Sequence, residues 1–586
     1  MVVLPLSALR RRGAPTHRDP LRRRLFVLQA GFFMCAGAII LRLFDLQVLR
    51  AEYFSSLAAK AQDRIAQLQP QRGSIYVRER GALFPVVTNR DYYLVAADVR
   101  QVADPAKVVD TLAAALELSA DEWRPIAEKL ARRADPYEPL RHKVTKAQSE
   151  KIAAAALPGL QLIPESFRYY PEPAFGGQLL GFLGFDHDRR LGRYGLEGYF
   201  ERELAGNPGS LRTVADARGR RLSIGEREFE PPRDGENLVL TIDRTVQWTA
   251  CDLLGKGIAT YEAVGGTIVV LQPSTGAVLA MCSLPNFEPE HYEQVDDPSR
   301  YNNPAIFTPF EPGSVFKPIT MAAAIDRGLI TPRDTYEDTG EVKLVSGQRI
   351  RNADLQAHGV QTMVQVLEKS LNTGAVHVVS KLGKEQFRRY VQDFGFGQKT
   401  AITLDTEVAG DVSSLERRGE IFALTASFGQ GITTTSLQLT LAFAALGNGG
   451  KLMRPYLVAV RISADGSVIA TTQSQVVRQV VTPRTASTIT GMLVQVVEGG
   501  WGNKAKVPGY YVAGKTGTAQ IAEGGQYGSD VNHTFIGYLP SGNPKFVALV
   551  KLDRPTKVKH AADSTTVIFR QLAEFLVGYY QIPPER

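Results

Sequence analysis

The chain has 586 residues, of which 44% are hydrophobic and 22% are charged, and its formal net charge is +8. This length and composition exclude a disordered or fibrous protein and predict more than one folded domain. The positive charge does not indicate nucleic-acid binding, because seven arginines and one aspartate in residues 1–24 contribute +6 and leave only +2 for the rest.

Residues 25–41 form an apolar run with one polar side chain, which as a helix would extend about 26 Å and could just cross a bilayer. The run predicts a retained single-pass anchor over 25–44, and the basic residues that cluster before it set its orientation by the positive-inside rule. The tail of residues 1–24 would then be cytoplasmic and the body of the protein would lie outside the membrane. A cleaved signal peptide is the alternative, but the apolar run continues through the candidate cleavage site at residues 36–38.

Two cysteines, Cys251 and Cys282, lie in the predicted exported body, so one disulfide is allowed and a disulfide framework is excluded. The histidines and cysteines show no metal-ligand spacing, and the chain has no phosphate-binding glycine loop. We therefore expect no metal and no cofactor, and the energy for any reaction would come from the bonds of the substrate.

Residues 45–235 mix short strands with helical stretches such as Pro105–Leu116 and contain no catalytic constellation. A charged segment rich in turn-forming residues, 230–236, predicts a domain boundary. The sequence thus predicts an interaction domain over 45–235 and a second domain over 236–586.

The second domain begins with a predicted strand at 238–242 and a helix that follows it to about residue 254. Two hairpins of β-forming residues are predicted, 266–271 with 277–281 and 535–539 with 546–552. Helical stretches such as 436–446 lie between these hairpins. The pattern therefore predicts an α+β domain with antiparallel strands.

Three short motifs follow one another in this domain: Ser314-Val-Phe-Lys317, Ser370-Leu-Asn372 and Lys515-Thr516-Gly517-Thr518. The first places an amine one helical turn after a hydroxyl near a predicted helix start, so that Lys317 could accept the proton of Ser314. The pKa of a free lysine is about 10.4, and burial together with the charge of Lys515 could lower it enough for Lys317 to act as a base. Each motif is weak alone, but their order indicates serine acyl transfer.

The motifs and their surroundings resemble the class B penicillin-binding proteins, which are monofunctional peptidoglycan D,D-transpeptidases. The resemblance covers roughly residues 25–586 and is carried by further segments: 72–75, 168–171, 195–197, 204–206, 311–318, 428–432 with Thr435 and Gln438, 448–450 and 512–519. It implies a β-lactamase/transpeptidase-like domain, with a five-stranded antiparallel sheet between helices, after a mixed α/β pedestal and one membrane helix. The chain departs from the family at residues 76–81 and at Trp501, where a smaller residue is common.

The resemblance also implies roles for the motif residues. Ser314 would be the acylated nucleophile and Lys317 its base, with Ser370 and Asn372 relaying protons and orienting the substrate. The substrate carboxylate would be bound by the last motif, which consists of Lys515, Thr516, Gly517 and Thr518. Backbone N–H groups of Ser314 and Thr518 would form the oxyanion hole.

The implied reaction is the crosslinking of peptidoglycan stem peptides, with β-lactams as covalent inhibitors. Asn372 resembles the division-type members, the FtsI or penicillin-binding protein 3 group, and so favours septal wall synthesis. No glycosyltransferase domain is recognisable in the sequence. A membrane glycan polymerase of the FtsW-like type and other division proteins are therefore expected partners, and nucleic acid is not.

Two other functions stay open at this point. The chain could be a D,D-carboxypeptidase or β-lactamase-like hydrolase that uses water as the acceptor, although the large pedestal and the anchor weigh against this. It could also be a non-catalytic division scaffold or a β-lactam sensor. The short cytoplasmic tail has no signalling domain, which weakens the sensor hypothesis.

Overall fold

The computed structural model of the chain describes residues 20–51, 63–132, 137–172, 175–186, 189–214, 228–344, 347–523 and 526–586. The chain forms two units, one of Met1–Gln69 with Pro208–Pro232 and one of Pro70–Asn207 with Arg233–Arg586. Most of the predicted basic tail, residues 1–19, lies outside the described residues.

The strands are, in chain order, β1 (Asp63–Leu68), β2 (Ile75–Glu79), β3 (Ala82–Ala97), β4 (Glu138–Val144), β5 (Leu160–Tyr169), β6 (Phe182–Asp186), β7 (Arg189–Arg193), β8 (Gly209–Val214), β9 (Glu228–Glu230), β10 (Asn237–Asp243), β11 (Gly265–Leu271), β12 (Val278–Leu284), β13 (Thr335–Asp338), β14 (Glu341–Lys343), β15 (Arg349–Arg351), β16 (Gly359–Thr362), β17 (Lys451–Met453), β18 (Val458–Ile462), β19 (Val468–Thr471), β20 (Val476–Gln479), β21 (Ala513–Glu523), β22 (Gln526–Leu539) and β23 (Phe546–Asp553). The α-helices are α1 (Pro20–Phe44), α2 (Pro105–Leu116), α3 (Ala120–Leu130), α4 (Lys146–Ala154), α5 (Gly177–Leu180), α6 (Gly195–Tyr199), α7 (Glu201–Ala205), α8 (Arg244–Tyr261), α9 (Pro304–Phe307), α10 (Lys317–Asp326), α11 (Met363–Glu368), α12 (Asn372–Leu382), α13 (Lys384–Asp393), α14 (Ile421–Ala426), α15 (Ser436–Gly447), α16 (Pro483–Glu498) and α17 (Thr565–Tyr579).

The first unit contains α1 and a small antiparallel sheet in the order β1-β8-β9. The helical segment Arg24–Leu49, which includes most of α1, is long and apolar enough to cross a membrane. Its large apolar side chains, such as Phe26, Phe33 and Ile40, are exposed. These properties are consistent with the single-pass anchor that the sequence predicts.

A seven-stranded sheet in the second unit combines strands from both sides of residue 235. Its order is β19-β18-β10-β2-β3-β4, and β5 also pairs with β3. β10, the first strand after the predicted domain boundary, pairs in parallel with β2 and antiparallel with β18. Helices α2, α3 and α4 share a separate hydrophobic core with β3 and β4.

The β2–β3 hairpin accounts for the chain's departure from the family pattern after Ile75. Glu79 pairs with Ala82, so the loop contains only Arg80 and Gly81, with φ of +47° and +89°. Two positive φ angles in a two-residue loop are the pattern of a type I′ turn, whose twist matches that of the flanking strands. The segment 76–81, which departs from the family pattern, is therefore part of a tight β-hairpin.

Three segments that carry the resemblance meet in a buried ion network. Glu197 is fully buried, and its carboxylate accepts hydrogen bonds from Arg168 Nε at 2.6 Å and from Arg72 Nε at 2.8 Å. Burial alone would raise the pKa of Glu197, but the two guanidinium groups outweigh it and hold the pKa below its usual value. The network ties together residues that are up to 125 positions apart in sequence.

Glu197→Gln is expected to lower the free energy of unfolding by about 3 to 5 kcal/mol, because it removes the counter-charge of the buried Arg168 and one of the two carboxylates, Glu197 and Glu201, that pair with Arg72. Since the folded-state pKa of Glu197 is lowered, its contribution is present above pH about 4.5 and is lost as the pH falls through the folded-state value. Denaturant unfolding of the full chain in detergent, at neutral and acidic pH, measures both effects.

The matched control for this variant is Asp121→Asn, which removes an exposed ion pair with Arg124 at 3.6 Å. It should leave the unfolding curve unchanged, because exposed pairs contribute little. An unfolding curve of Glu197→Gln that coincides with that of the wild type would show that the buried network does not stabilise the fold.

The second unit also contains a five-stranded antiparallel sheet in the order β12-β11-β23-β22-β21, which confirms the α+β prediction. Successive side chains of β11 point to opposite faces of the sheet, and because both faces are buried they pack into two different hydrophobic cores. Ile268 and Val270 belong to the core that contains α8 and α17, whereas Val269 and Leu271 belong to the core that contains α15.

Cys251 of α8 and Cys282 of β12 form a disulfide, the pairing that the sequence had left open. The bond closes a loop with a sequence separation of 31 residues. Closure of a loop of this size reduces the entropy of the unfolded chain and contributes about 3 to 4 kcal/mol in the chain-entropy treatment. It holds α8 against an edge strand of the five-stranded sheet.

Several residues that carry the resemblance have structural explanations. Thr435 and Gln438 form a capping box at the start of α15, in which each side chain bonds the backbone of the other. Gly449 and Gly450 follow the end of α15 with φ of +61° and +84°, a left-handed conformation that glycine adopts without strain. These residues position α15 behind the sheet.

Candidate active site

Ser314 lies in a 3₁₀ turn, Gly313–Phe316, that leads directly into α10. The sequence predicts Ser314 at a helix start, whereas the α-helix itself begins three residues later, at Lys317. In a 3₁₀ turn residues three apart are eclipsed, so Ser314 and Lys317 still share one face. Ser314 is partly exposed and lines a cleft of about 1080 Å³.

Two glycines allow other segments to approach the Ser314 turn closely. Gly429 accepts a hydrogen bond from the Gly313 N–H at 3.0 Å, and a Cβ on Gly429 would lie only 2.2 Å from the Gly313 carbonyl oxygen. On the other side, a Cβ on Gly517 would lie 3.0 Å from Val315 Cγ1 and 3.1 Å from the Pro312 carbonyl oxygen. Gly517 of the third motif therefore brings β21 against the turn that carries Ser314.

The Lys317 side chain is buried and directed at Ser370. Its Nζ donates to the Ser370 backbone carbonyl oxygen and lies 3.2 Å from Ser370 Oγ. Burial, and then the positive charge of Lys515, lower the pKa of Lys317 well below its usual value. An amine in this environment can be neutral near pH 7, which is the state that a general base requires.

Ser370 connects the two buried lysines. It lies between α11 and α12 with φ of +57°, a left-handed conformation that costs a residue with a Cβ about 1 to 2 kcal/mol. Its Oγ lies 3.2 Å from Lys317 Nζ and 3.0 Å from Lys515 Nζ. A hydroxyl in this position can pass a proton between the two amines.

Lys515 is fully buried at the outer strand of the five-stranded sheet. Its Nζ donates to the Thr516 carbonyl oxygen at 3.1 Å as well as to Ser370 Oγ. Burial lowers the pKa of Lys515 to about 7. The structure thus places the Lys515 amine behind the cleft wall, beside Ser370, where its charge acts on Lys317.

The remaining motif residues line the cleft. Asn372 borders the same space as Ser314 and donates from Nδ2 to the Arg351 carbonyl oxygen at 2.8 Å. Thr518 is exposed, whereas Thr516 is largely buried, and both border a smaller part of the cleft of about 240 Å³ next to Ser314 and Ser370. All residues predicted for the site therefore converge on one place.

The sequence did not predict one further wall of the cleft. This wall contains Lys559 and His560 of the loop before α17, and the His560 ring lies 5.4 Å from that of Trp501. Trp501 was noted only as a departure from the family pattern. No local signal marks the loop, because its residues reach the cleft only through the packing of β22, β23 and α17.

Comparison with known families agrees with this arrangement. A family model described as "Penicillin binding protein transpeptidase domain" matches residues 266–574, and one described as "Penicillin-binding Protein dimerisation domain" matches residues 67–240. Together the two models cover most of the chain.

Three relatives illustrate the similarity. Stage V sporulation protein D of Bacillus subtilis is 36% identical over 91% of this chain and 82% of its own length. Penicillin-binding protein PbpB of Mycobacterium tuberculosis is 30% identical over 92% of this chain and 83% of its own length. A protein named peptidoglycan D,D-transpeptidase FtsI homolog, from Mesostigma viride, is 26% identical over 96% of both chains.

Solved structures show the same fold. Penicillin-binding protein 3 of Mycobacterium tuberculosis, in complex with aztreonam, superposes with a TM-score of 0.67 at 25% identity and covers 89% of this chain and 98% of its own. The same protein has also been solved in complex with ampicillin. Penicillin-binding protein 2X of Streptococcus thermophilus has a TM-score of 0.75 at 21% identity, covering 88% of this chain and 80% of its own, and supports the fold alone.

Proposed function

The chain belongs to the class B penicillin-binding proteins, a family of peptidoglycan D,D-transpeptidases, and from this premise we propose that it crosslinks stem peptides through an acyl-enzyme on Ser314. The observation that carries the proposal is that two buried amines meet at Ser370, next to the cleft that Ser314 lines. Ser314 provides the nucleophile and Lys317 the base, whose pKa is lowered by burial and then by the charge of Lys515.

In the first step Ser314 Oγ attacks the carbonyl carbon of the D-Ala-D-Ala peptide bond while its proton passes to the neutral Lys317 amine. Backbone N–H groups of Ser314 and Thr518 stabilise the oxyanion, and each such donor contributes about 3 to 4 kcal/mol in the transition state. The C–N bond then breaks, and the leaving D-alanine nitrogen receives a proton relayed from Lys317 through Ser370. An ester on Ser314 remains.

In the second step the amine of a neighbouring stem peptide attacks this ester. The amine loses a proton to the same relay, and the Ser314 oxygen leaves and recovers its proton. A new peptide bond replaces the one that was broken, so the reaction needs no external energy source. Thr516 and Thr518 bind the terminal carboxylate of the donor, the positive charge of Lys515 behind them favours this binding, and Asn372 orients the peptide backbone of the donor.

β-Lactams are proposed to acylate the same serine. The supporting observation is that the related penicillin-binding protein 3 has been solved with aztreonam and with ampicillin. A strained lactam carbonyl would meet the same nucleophile and oxyanion hole as the peptide. Its ester would persist because the lactam ring nitrogen stays attached to the acyl group and blocks the approach of the acceptor.

We assign the protein to septal wall synthesis. Asn372 in the second motif favours a division role, and a relative carries the name FtsI homolog. Residues 25–44 would anchor the protein with residues 1–24 in the cytoplasm, and residues 45–235 would bind a membrane glycan polymerase and other division proteins. Residues 236–586 would form the catalytic domain outside the membrane.

A second role, in spore formation, is favoured by the 36% identity with Stage V sporulation protein D. Depletion of the protein in its host distinguishes the two roles. Filaments without septa would support the division role, whereas normal division with defective spores would support the sporulation role.

The test of the catalytic proposal is intact-mass analysis of the full chain in detergent after incubation with a fluorescent penicillin, followed by peptide mapping. One stable adduct on Ser314 is expected. Incubation with polymerised lipid-linked precursor should then release D-alanine and yield crosslinked dimers. D-Alanine release without dimers would mean a carboxypeptidase, rapid β-lactam turnover would mean a β-lactamase, and no adduct would mean a scaffold.

A further inference from the structure

His533 is a buried imidazole directly behind the cleft. It lies in β22, where its backbone is opposite Thr518 of β21, and its side chain has no exposed surface. None of the sequence motifs includes it, and the proposed reaction gives it no part. A buried ring with two polar atoms must find partners for both, and the identity of those partners indicates its role.

Both ring nitrogens contact the loop before α17, which lines the cleft through Lys559 and His560. Nε2 lies 3.3 Å from the Lys559 carbonyl oxygen, and Nδ1 lies 2.8 Å from Ser564 Oγ. A carbonyl oxygen can only accept, so Nε2 carries the proton and Nδ1 accepts from the Ser564 hydroxyl. His533 therefore holds the loop at two points five residues apart.

The middle of this loop contacts Thr518. The Ala561 N–H donates to Thr518 Oγ1 at 3.1 Å. Because that oxygen already accepts one hydrogen bond, the hydroxyl proton of Thr518 points away from Ala561. Thr518 is exposed to the cleft, so its proton is available to a group bound there.

The hydroxyl of Ser564 is committed to His533. Ser564 is fully buried and stands directly before α17, where a serine side chain commonly accepts a hydrogen bond from the first turn of the helix. Here the side chain makes no such cap bond. Its contact with the imidazole is therefore a specific link between the loop and β22.

We propose that His533 is a positioning residue for acyl transfer, which clamps residues 559–564 so that Ala561 orients the Thr518 hydroxyl toward the carboxylate of the substrate. The inference rests on the proposed function, in which Thr518 binds that carboxylate. The contacts form a closed chain from His533 through the loop to Thr518 and back across the β21–β22 pairing.

The charge state of His533 agrees with this role. Burial, and to a lesser extent the neighbouring His560, lower its pKa to about 4, although the Lys559 carbonyl and Asp563 act in the opposite direction. The imidazole is thus neutral at physiological pH and keeps the single tautomer that both contacts require.

The test compares His533→Leu, which removes both hydrogen bonds, with His533→Gln, whose amide can still donate to the Lys559 carbonyl. The readout is the second-order rate of acylation by a penicillin that carries the usual carboxylate. His533→Leu should lower this rate about tenfold, the effect of roughly one misplaced hydrogen bond, and His533→Gln should restore part of it. Arg570→Ala, on the exposed face of α17 where Arg570 pairs with Glu574, is the control and should not change the rate.

A double-mutant cycle with Thr518→Val separates positioning from general support of the fold. If His533 acts through Thr518, adding His533→Leu to Thr518→Val should lower the acylation rate no further. Effects that multiply in the double variant, or a wild-type rate in His533→Leu alone, would overturn the inference.

Melting curves of each variant establish that it is folded at the assay temperature. Should His533→Leu fail to fold, Ser564→Ala replaces it in the same cycle, because it removes the shorter of the two contacts. Absence of a Ser314 adduct on the wild-type protein would instead overturn the proposed function, and this inference with it. The two failures are therefore distinguishable.

Discussion

Ser314→Ala is expected to abolish the covalent penicillin adduct and to reduce crosslinking by about 10⁶-fold, the loss seen when a serine nucleophile is removed from its catalytic group. The cleft, the buried lysines and the oxyanion-hole amides all remain in this variant, but no oxygen is left to form the ester. Intact-mass analysis and dimer formation from polymerised precursor measure the two losses.

The chain provides a matched control in Ser541, which belongs to a second Ser-x-Asn sequence outside the site. Ser541 lies on the turn between β22 and β23, and its Oγ is 3.3 Å from Glu585 Oε1. Ser541→Ala should form the adduct at the wild-type rate.

Crosslinking that survives in Ser314→Ala would refute the assignment of the nucleophile. Glycan polymerisation by a partner that survives in the same variant would instead reveal an additional scaffold role.

Lys317→Met is expected to lower the acylation rate about 10²- to 10⁴-fold, the usual contribution of a general base. Methionine retains a flexible apolar side chain of similar length in this buried site, so the change removes the amine with little disturbance of packing. Stopped-flow acylation by a fluorescent penicillin gives the rate. An acylation rate indifferent to this substitution would exclude Lys317 as the base.

A matched control for Lys317→Met is Lys256→Met on the exposed face of α8, where the amine pairs with Asp252 at 2.7 Å. That variant should react at the wild-type rate. Its inclusion separates the loss of the buried amine from any general effect of replacing a lysine.

The pH dependence of acylation provides a second test of Lys317. The rate requires neutral Lys317, so it should rise as the pH increases through the lowered pKa of this residue and should reach its plateau far below pH 10.5. Lys515, whose pKa is about 7, loses its charge at higher pH, which should weaken substrate binding and give a bell-shaped profile. The two apparent pKa values belong to the coupled pair. A rate that begins to rise only near pH 10 would contradict a lowered pKa for Lys317.

Local patterns predicted much of the fold. The helix Pro105–Leu116 was predicted with its observed bounds, and three of the four hairpin strands differ from the observed ones by one to three residues at their ends. The fourth, β22, begins nine residues before its predicted start. α8 is longer than predicted and extends to Tyr261. Strand alternation and helix periodicity are properties of neighbouring residues, whereas the end of an element depends on contacts with distant parts of the chain.

The order of the three motifs similarly predicted which residues would form the site. Ser314 and Lys317 are three positions apart, so a single turn brings them onto one face whatever surrounds them. Lys515 was predicted as the second cation and Ser370 as part of the relay, and the Lys515 amine lies 3.0 Å from Ser370 Oγ. A lowered pKa was expected for Lys317 alone, and the lowered pKa of Lys515 follows from a burial that no local pattern predicted.

Residue types at short range, or their order along the chain, were enough to predict the apolar N-terminal segment, the α+β class, the family and the identity of the motif residues. Three contacts became visible only in the folded chain: Glu197 joins two arginines in a buried network, Cys251 pairs with Cys282, and His533 lies behind Thr518. The residues in each contact are between 15 and 125 positions apart in the sequence. The contact of His533 with Thr518 also depends on the register of β21 against β22, which the packing of the whole core sets. Their geometry comes from packing, which no local pattern encodes.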